Sequence, residues 1–90
     1  MGVILDIHPD LRHLTDHRPI IEVRGDSVGA CLEDLITQFP DLQPELFDGK
    51  KRLRPHIDVY VNSESSYPDE LKAPVMDGDR LTIVIPLIGG

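Results

Sequence analysis

GDSVGACLEDLITQFP, residues 25–40, contains one amphipathic helix, and that helix decides how the rest of the chain folds. Val28, Cys31, Leu32, Leu35, Ile36 and Phe39 fall at i, i+3, i+4, i+7, i+8 and i+11, a single apolar stripe on a helix of 3.6 residues per turn. Asp26 or Ser27 can accept from the free N–H groups of the first turn, and Pro40 marks the end. Glu33, Asp34, Thr37 and Gln38 take the opposite, wet face.

Every other apolar run reads with period two. In VILDI, residues 3–7, Val3, Leu5 and Ile7 alternate with Ile4 and Asp6; Ile21 and Val23 do the same in PIIEVR, residues 19–24. The eleven-residue connection from His8 to Arg18 exceeds a tight hairpin and is expected to carry strand extension as well. PDLQPELF, residues 40–47, suggests a short helical turn, followed by the loop DGKKRLRP. Ile57, Val59 and Val61 then alternate with Asp58, Tyr60 and Asn62 in a strand, and SESSYPDELKAP reads as a loop with one brief strand. After the Asp77-Gly78 turn dipeptide, Leu81, Ile83, Ile85 and Leu87 alternate with Thr82, Val84 and Pro86 in the last strand.

The order is β-β-α-β-(short)-β. One helix covers one face of one sheet, so the expected fold is α+β. A mixed sheet of four or five strands grips the main helix, with the last strand central beside the first. This is the β-grasp, or ubiquitin-like, architecture, here spanning residues 1–90 as one domain with a flexible C-terminal tail at 86–90.

Ninety residues suffice for one core without disulfides but leave little room for a deep pocket. A formal charge of −7 argues against a nucleic-acid partner, since a phosphate backbone rewards clustered positive charge. The single Cys31 has no partner for an internal disulfide, a zinc motif or an iron–sulfur site. With no basic leader and no long apolar run, no membrane partner is expected, and a soluble, cytoplasmic location is the default.

If the alternating residues that match the helix point at it, the opposite sheet face carries Ile4, His8, Tyr60, Val84 and Pro86, rimmed by Asp6 and Asp58. Scattered exposed apolar residues are ordinary on any surface. The sharper reading is a docking patch for a partner protein.

The sequence finishes DGDRLTIVIPLIGG, residues 77–90. Gly89 and Gly90 have no Cβ, so their backbone can thread a narrow channel, and extended residues 86–90 reach roughly 17 Å. Such a tail delivers an α-carboxylate, which is ionised at neutral pH and needs activation before it reacts. VYVN, a spacer and DGDRLTIVIPLIGG, with the helix entry GDSVGACLEDL, resemble the ThiS/MoaD family of sulfur carriers, especially its cysteine-biosynthesis branch.

The resemblance implies that an E1-like adenylating enzyme activates the Gly90 carboxylate with ATP. A sulfur donor then displaces AMP to leave a thiocarboxylate, and acceptor enzymes use the sulfur for molybdopterin, thiamine or cysteine synthesis. It also implies that Leu87, Ile88 and Gly89 form the tail presented to these enzymes. The chain itself would bind no cofactor and supply no catalytic side chain. Two alternatives share the fold: a ubiquitin-like modifier joined to lysine through Gly90, and a plain interaction subunit. This sequence departs from the family in having Ser63 after Asn62, where glycine is usual, and the branched Ile88 before the glycine pair.

Other constellations carry less. His13 and His17 stand four apart, but Pro9 and Pro19 flank them and no thiol completes a metal set, so solvated loop histidines are expected for these and for His8 and His56. KKRLR, residues 50–54, lacks aromatic interleaving and reads as a solvated loop. Cys31 sits on the apolar stripe as a small buried thiol, and Ser63, Ser65 and Ser66 have no histidine near in sequence.

Overall fold

A computed structural model describes residues 2–50, 52–67 and 69–85. Strand β1 (Val3–Asp6) is followed by a 3-10 helix (Pro9–Leu14) and by β2 (Ile20–Val23). Helix α1 (Val28–Gln38) comes next, then a 3-10 turn (Pro40–Leu42) and the short α2 (Gln43–Leu46). Strands β3 (Asp58–Val61) and β4 (Glu64–Ser65), a 3-10 turn (Glu70–Lys72) and β5 (Arg80–Val84) complete the described order.

The five strands form one mixed sheet in the order β2-β1-β5-β3-β4. β1 and β5 run parallel at its centre, with Leu5 opposite Leu81, while the other pairs are antiparallel. This is the expected β-grasp.

The alternation read from the sequence sets the burial. Val3, Leu5, Ile7, Val59, Leu81 and Ile83 are buried, and α1 lays Val28, Cys31, Leu32 and Leu35 against them. Val61 and Ile85, also expected inside, are half-buried at the margin of the core. Ser27 caps α1: its hydroxyl accepts from the Ala30 N–H at 3.1 Å, worth about 1 kcal/mol. Phe39 closes the helix just before Pro40, whose ring disfavours helical geometry in the preceding residue.

The connection after β1 differs from expectation. Instead of extending a strand, it forms the 3-10 helix Pro9–Leu14. Pro9 sets φ for a first helical position, and the His8 ring Nδ1 accepts from the Asp10 N–H at 3.1 Å. Leu11 is then buried against the core, and Thr15, fully buried, donates its hydroxyl toward the carbonyls of Arg12 and Arg18. Three-residue periodicity has too few apolar markers over six residues to compete with the neighbouring strand pattern.

Leu53 and Arg54, expected in a solvated loop, are held against the fold. Phe47 and Leu53 form a bridge, Leu53 is half-buried, and Arg54 donates its Nε to the Pro44 carbonyl at 2.8 Å. Among the described residues, no helix is long and apolar enough to cross a membrane.

Candidate functional site

Strand pairing places the outward residues in rows across the sheet. Glu22, Ile4 and Arg80 share one row; Ile20, Asp6, Thr82, Tyr60 and Ser65 share the next; Val84 and Asp58 share a third. Ile4, Tyr60 and Val84 therefore occupy one face, each partly covered by its neighbours. Tyr60 and Val84 are diagonal neighbours on adjacent strands. Ile4 lies about 13 Å from the Val84 row, two pleats away.

What lies between them corrects the sequence reading. Asp6 is not a rim residue. It stands in the middle of the face, where Arg80 donates to both of its oxygens, Nε at 2.6 Å and Nη2 at 2.7 Å, and Thr82 Oγ1 donates to it at 3.3 Å. The Arg80 hydrogen bonds hold the Asp6 carboxyl below its ordinary value, against the opposing effect of partial burial. The face is thus an amphipathic surface divided by a bidentate ion pair. Sequence reasoning missed Arg80, although its place on the polar alternation of β5, opposite β1, was the available signal.

Asp58 does sit at an edge of this face. Its carboxylate accepts from the Val59 N–H at 2.8 Å and from the Ser65 hydroxyl. His8 lies past the end of β1 rather than on a strand, as the cap of the 3-10 helix, and its side chain is 24% exposed. Pro86, Leu87, Ile88, Gly89 and Gly90, expected as the end of the docking face and the reactive tail, lie outside the described residues.

The turn before β5 is a backbone device. Gly78 has φ +92°, a left-handed conformation that an L side chain resists. Asp79 then bridges two segments: Oδ2 accepts from the Met76 N–H at 2.9 Å, and Oδ1 accepts from the Asn62 side-chain amide at 3.0 Å. Gly78 and Asp79 therefore position the start of the central strand.

Asn62 and Ser63 form a two-residue turn between β3 and β4, Val61 pairing with Glu64, with φ of +51° and +76°. The family departure at Ser63 leaves the tight-turn geometry intact while placing a side chain in a left-handed position.

Among the described residues, no three His, Cys, Asp or Glu side chains converge as a metal site. His13, His17 and His56 are exposed. Cys31 is fully buried, and desolvation, with smaller effects from Asp34 and Asp26, pushes its thiol up to about 11.

No protein-family model matches the chain. The sulfur carrier protein CysO of Mycobacterium tuberculosis is 29% identical over 93 residues, an alignment covering all of both chains. Small archaeal modifier protein 1 of Haloferax volcanii is 32% identical over 83 residues, covering 90% of this chain and 92% of that protein. The structure of the BexX/CysO complex of Amycolatopsis orientalis contains a chain that superposes with a TM-score of 0.88 at 31% identity, covering 99% of this chain and 100% of that one. The parallel β1–β5 centre, the single gripping helix and these full-length likenesses together make the chain a member of the ThiS/MoaD-type family of ubiquitin-like sulfur carriers.

Proposed function

We propose that this chain carries sulfur as a thiocarboxylate on Gly90. An E1-like partner consumes ATP: a Gly90 carboxylate oxygen attacks the α-phosphorus, pyrophosphate leaves, and an acyl-adenylate results. A sulfur nucleophile then attacks the acyl carbon and displaces AMP. The sulfur is finally delivered to an acceptor, with cysteine biosynthesis the favoured pathway. The observation carrying this reading is the likeness to sulfur carriers over the whole length of both chains. The described architecture supports it, because Gly90 follows six residues after Val84, the last residue of the central strand. Ile4, Tyr60 and Val84, around the Asp6–Arg80 pair, would seat the activating enzyme.

The test is an intact mass. Incubation with ATP, a cognate activating enzyme and a sulfur donor should add the mass of one oxygen-to-sulfur exchange. A variant lacking Gly89 and Gly90 should remain unchanged; equal conversion of that variant would refute the assignment.

The likeness to a small archaeal modifier favours a second use of the same activated carboxylate, attachment to a lysine amine. Adducts in cell extract that survive thiol reagents and disappear when Gly90 is removed would identify that route. Absence of such adducts, together with a mass gain by the free protein, would leave sulfur carriage alone.

A further inference from the structure

The helical layer carries a groove on the side of the sheet away from the outward face. It has a volume of about 370 Å³ and lies between α1, α2 and the 3-10 turn Glu70–Lys72. Ile36, Phe47 and Leu71 line it with apolar surface, and Glu33, Thr37 and Gln43 supply polar groups.

Backbone contacts hold the groove open. The Val28 N–H donates to the Ala73 carbonyl at 2.9 Å, and the Val75 N–H donates to the Asp26 carbonyl at 3.1 Å, pinning the turn to the start of α1. Gly29 permits this approach, since a Cβ there would lie 2.9 Å from the Leu71 carbonyl oxygen.

The elements that border it are acidic on balance, with Glu33 and Asp34 in α1, Glu45 in α2, and Glu70 beside Lys72 on the turn. From Asp26 to Asp48 the sequence contains Asp26, Glu33, Asp34, Asp41, Glu45 and Asp48 and not one Lys, Arg or His. That stretch holds nearly all of the chain's net −7. Arg52 and Arg54, which follow it, are engaged with Asp48 and with the Pro44 carbonyl. Lys72, on the turn, is the one cation within the elements that border the groove.

No buried side-chain polar atom among the described residues lacks a hydrogen-bond partner, and the polar groups of the groove, Glu33, Thr37 and Gln43, are exposed. Apolar lining inside an acidic surround matches an apolar anchor carried on a basic segment.

We propose that this groove receives a short amphipathic segment of a partner protein, one that inserts a large apolar side chain and surrounds it with Lys or Arg. The site goes beyond the carrier chemistry. It lies in the helical layer, whereas Ile4, Tyr60 and Val84 point away from that layer, so both surfaces can be occupied at once.

The experiment titrates the isotope-labelled full chain with three helical peptides while amide shifts are recorded. The first has leucine at i, i+3, i+4 and i+7 with lysine elsewhere. The second has the same composition scrambled to destroy the apolar face. The third replaces lysine with glutamate. The first should shift the amides of Gly29, Ile36, Phe47 and Leu71, and should bind at least ~10-fold more tightly than the second, with no saturable binding by the third.

Thr37→Trp, which fills the groove from an exposed helical position, should weaken the first peptide ~10-fold; Glu33→Lys should weaken it and flatten its salt dependence. Equal binding of the scrambled peptide, shifts centred on the sheet face, or no effect of Thr37→Trp in a folded protein would overturn the proposal. Concentration-dependent shifts of the same amides without peptide would replace the partner segment with a second copy of this chain.

Discussion

Asn62 and Asp79, seventeen residues apart, are joined side chain to side chain at 3.0 Å. The same Asn62 accepts the Arg80 N–H through Oδ1 at 2.9 Å, while its own N–H donates to the Arg80 carbonyl at 2.8 Å. One asparagine thus fastens the β3–β4 turn to the first residue of the central strand. Asn62→Ala should destabilise the fold by about 1 kcal/mol through lost hydrogen bonds, with added strain at its left-handed φ. Chemical denaturation of Asn62→Ala, Asp79→Ala and the double variant checks the coupling. The double variant should lose less than the sum of the singles, and strict additivity would mean that the clamp contributes nothing.

Three carboxyls sit below their ordinary values for distinct local reasons. Asp6 is held by hydrogen bonds from Arg80, Asp79 by the Asn62 amide, and Asp48 by the backbone N–H groups of Arg52 and Lys50. A carboxyl whose folded pKa is depressed stabilises the native state above its unfolded value, about 3.9, and loses that contribution as pH falls through the folded value. Stability should therefore be flat from neutrality to about pH 5 and fall steeply below about pH 4. Thermal melts of Asp6→Asn and Asp79→Asn should start lower than the parent at pH 7 and converge with it near pH 2. Parallel curves at every pH would remove the electrostatic explanation.

Ser63 pays a conformational cost for its place in the turn. A non-glycine residue at φ +76° sits in a region that disfavours a Cβ by roughly 1–2 kcal/mol, whereas glycine enters it freely but loses more entropy on folding. The balance predicts that Ser63→Gly stabilises by about 0.5 kcal/mol, a rise in Tm of roughly 2–4 °C. Ser63→Val should move Tm the other way. A lower Tm for the glycine variant would show that the serine compensates for its backbone.

Much of this is legible in the sequence. Helix α1 declared itself because six apolar residues recur on one stripe over more than three turns, and the strands followed because Leu5, Val59 and Leu81 each belong to an alternation. Those patterns are long enough for period alone to separate helix from strand. Leu11 was hidden because it is the single buried residue of a six-residue 3-10 helix, whose signal was Pro9 with His8 rather than periodicity. Arg80 was hidden for another reason. Its partner Asp6 is 74 residues away, and only the parallel register of β1 and β5 brings the two together. The groove beside Phe47 depends on how α2 and the Glu70–Lys72 turn meet α1, which no local pattern encodes.

Register also sharpens the choice of substitution on the face proposed to seat the activating enzyme. Val84 stands opposite Asp58, so an aspartate there would add like-charge repulsion to any loss of docking. Val84→Lys avoids this and should change stability by less than about 1 kcal/mol, while Ile83→Lys, one residue away and buried, should unfold the protein. Urea titration compares them. If Val84→Lys is folded yet docks the activating enzyme as well as the parent, this row of the sheet is not the seat.

Sulfur carriage could in principle use a thiol, and the only one in the sequence is Cys31. Its position argues against that. The side chain is buried on the core face of α1, and with its thiol pushed up to about 11 only roughly one molecule in ten thousand holds thiolate at pH 7. Reaction also requires access, which the folded core denies. Iodoacetamide should label the native protein at a rate that follows its unfolding, and label it rapidly in denaturant. Cys31→Ala should cost about 1 kcal/mol or somewhat more and still yield the full mass gain in the activation assay, the outcome expected from the proposed acyl chemistry at Gly90. Loss of that gain in a folded Cys31→Ala protein would move the sulfur from the main-chain carboxyl to the core thiol.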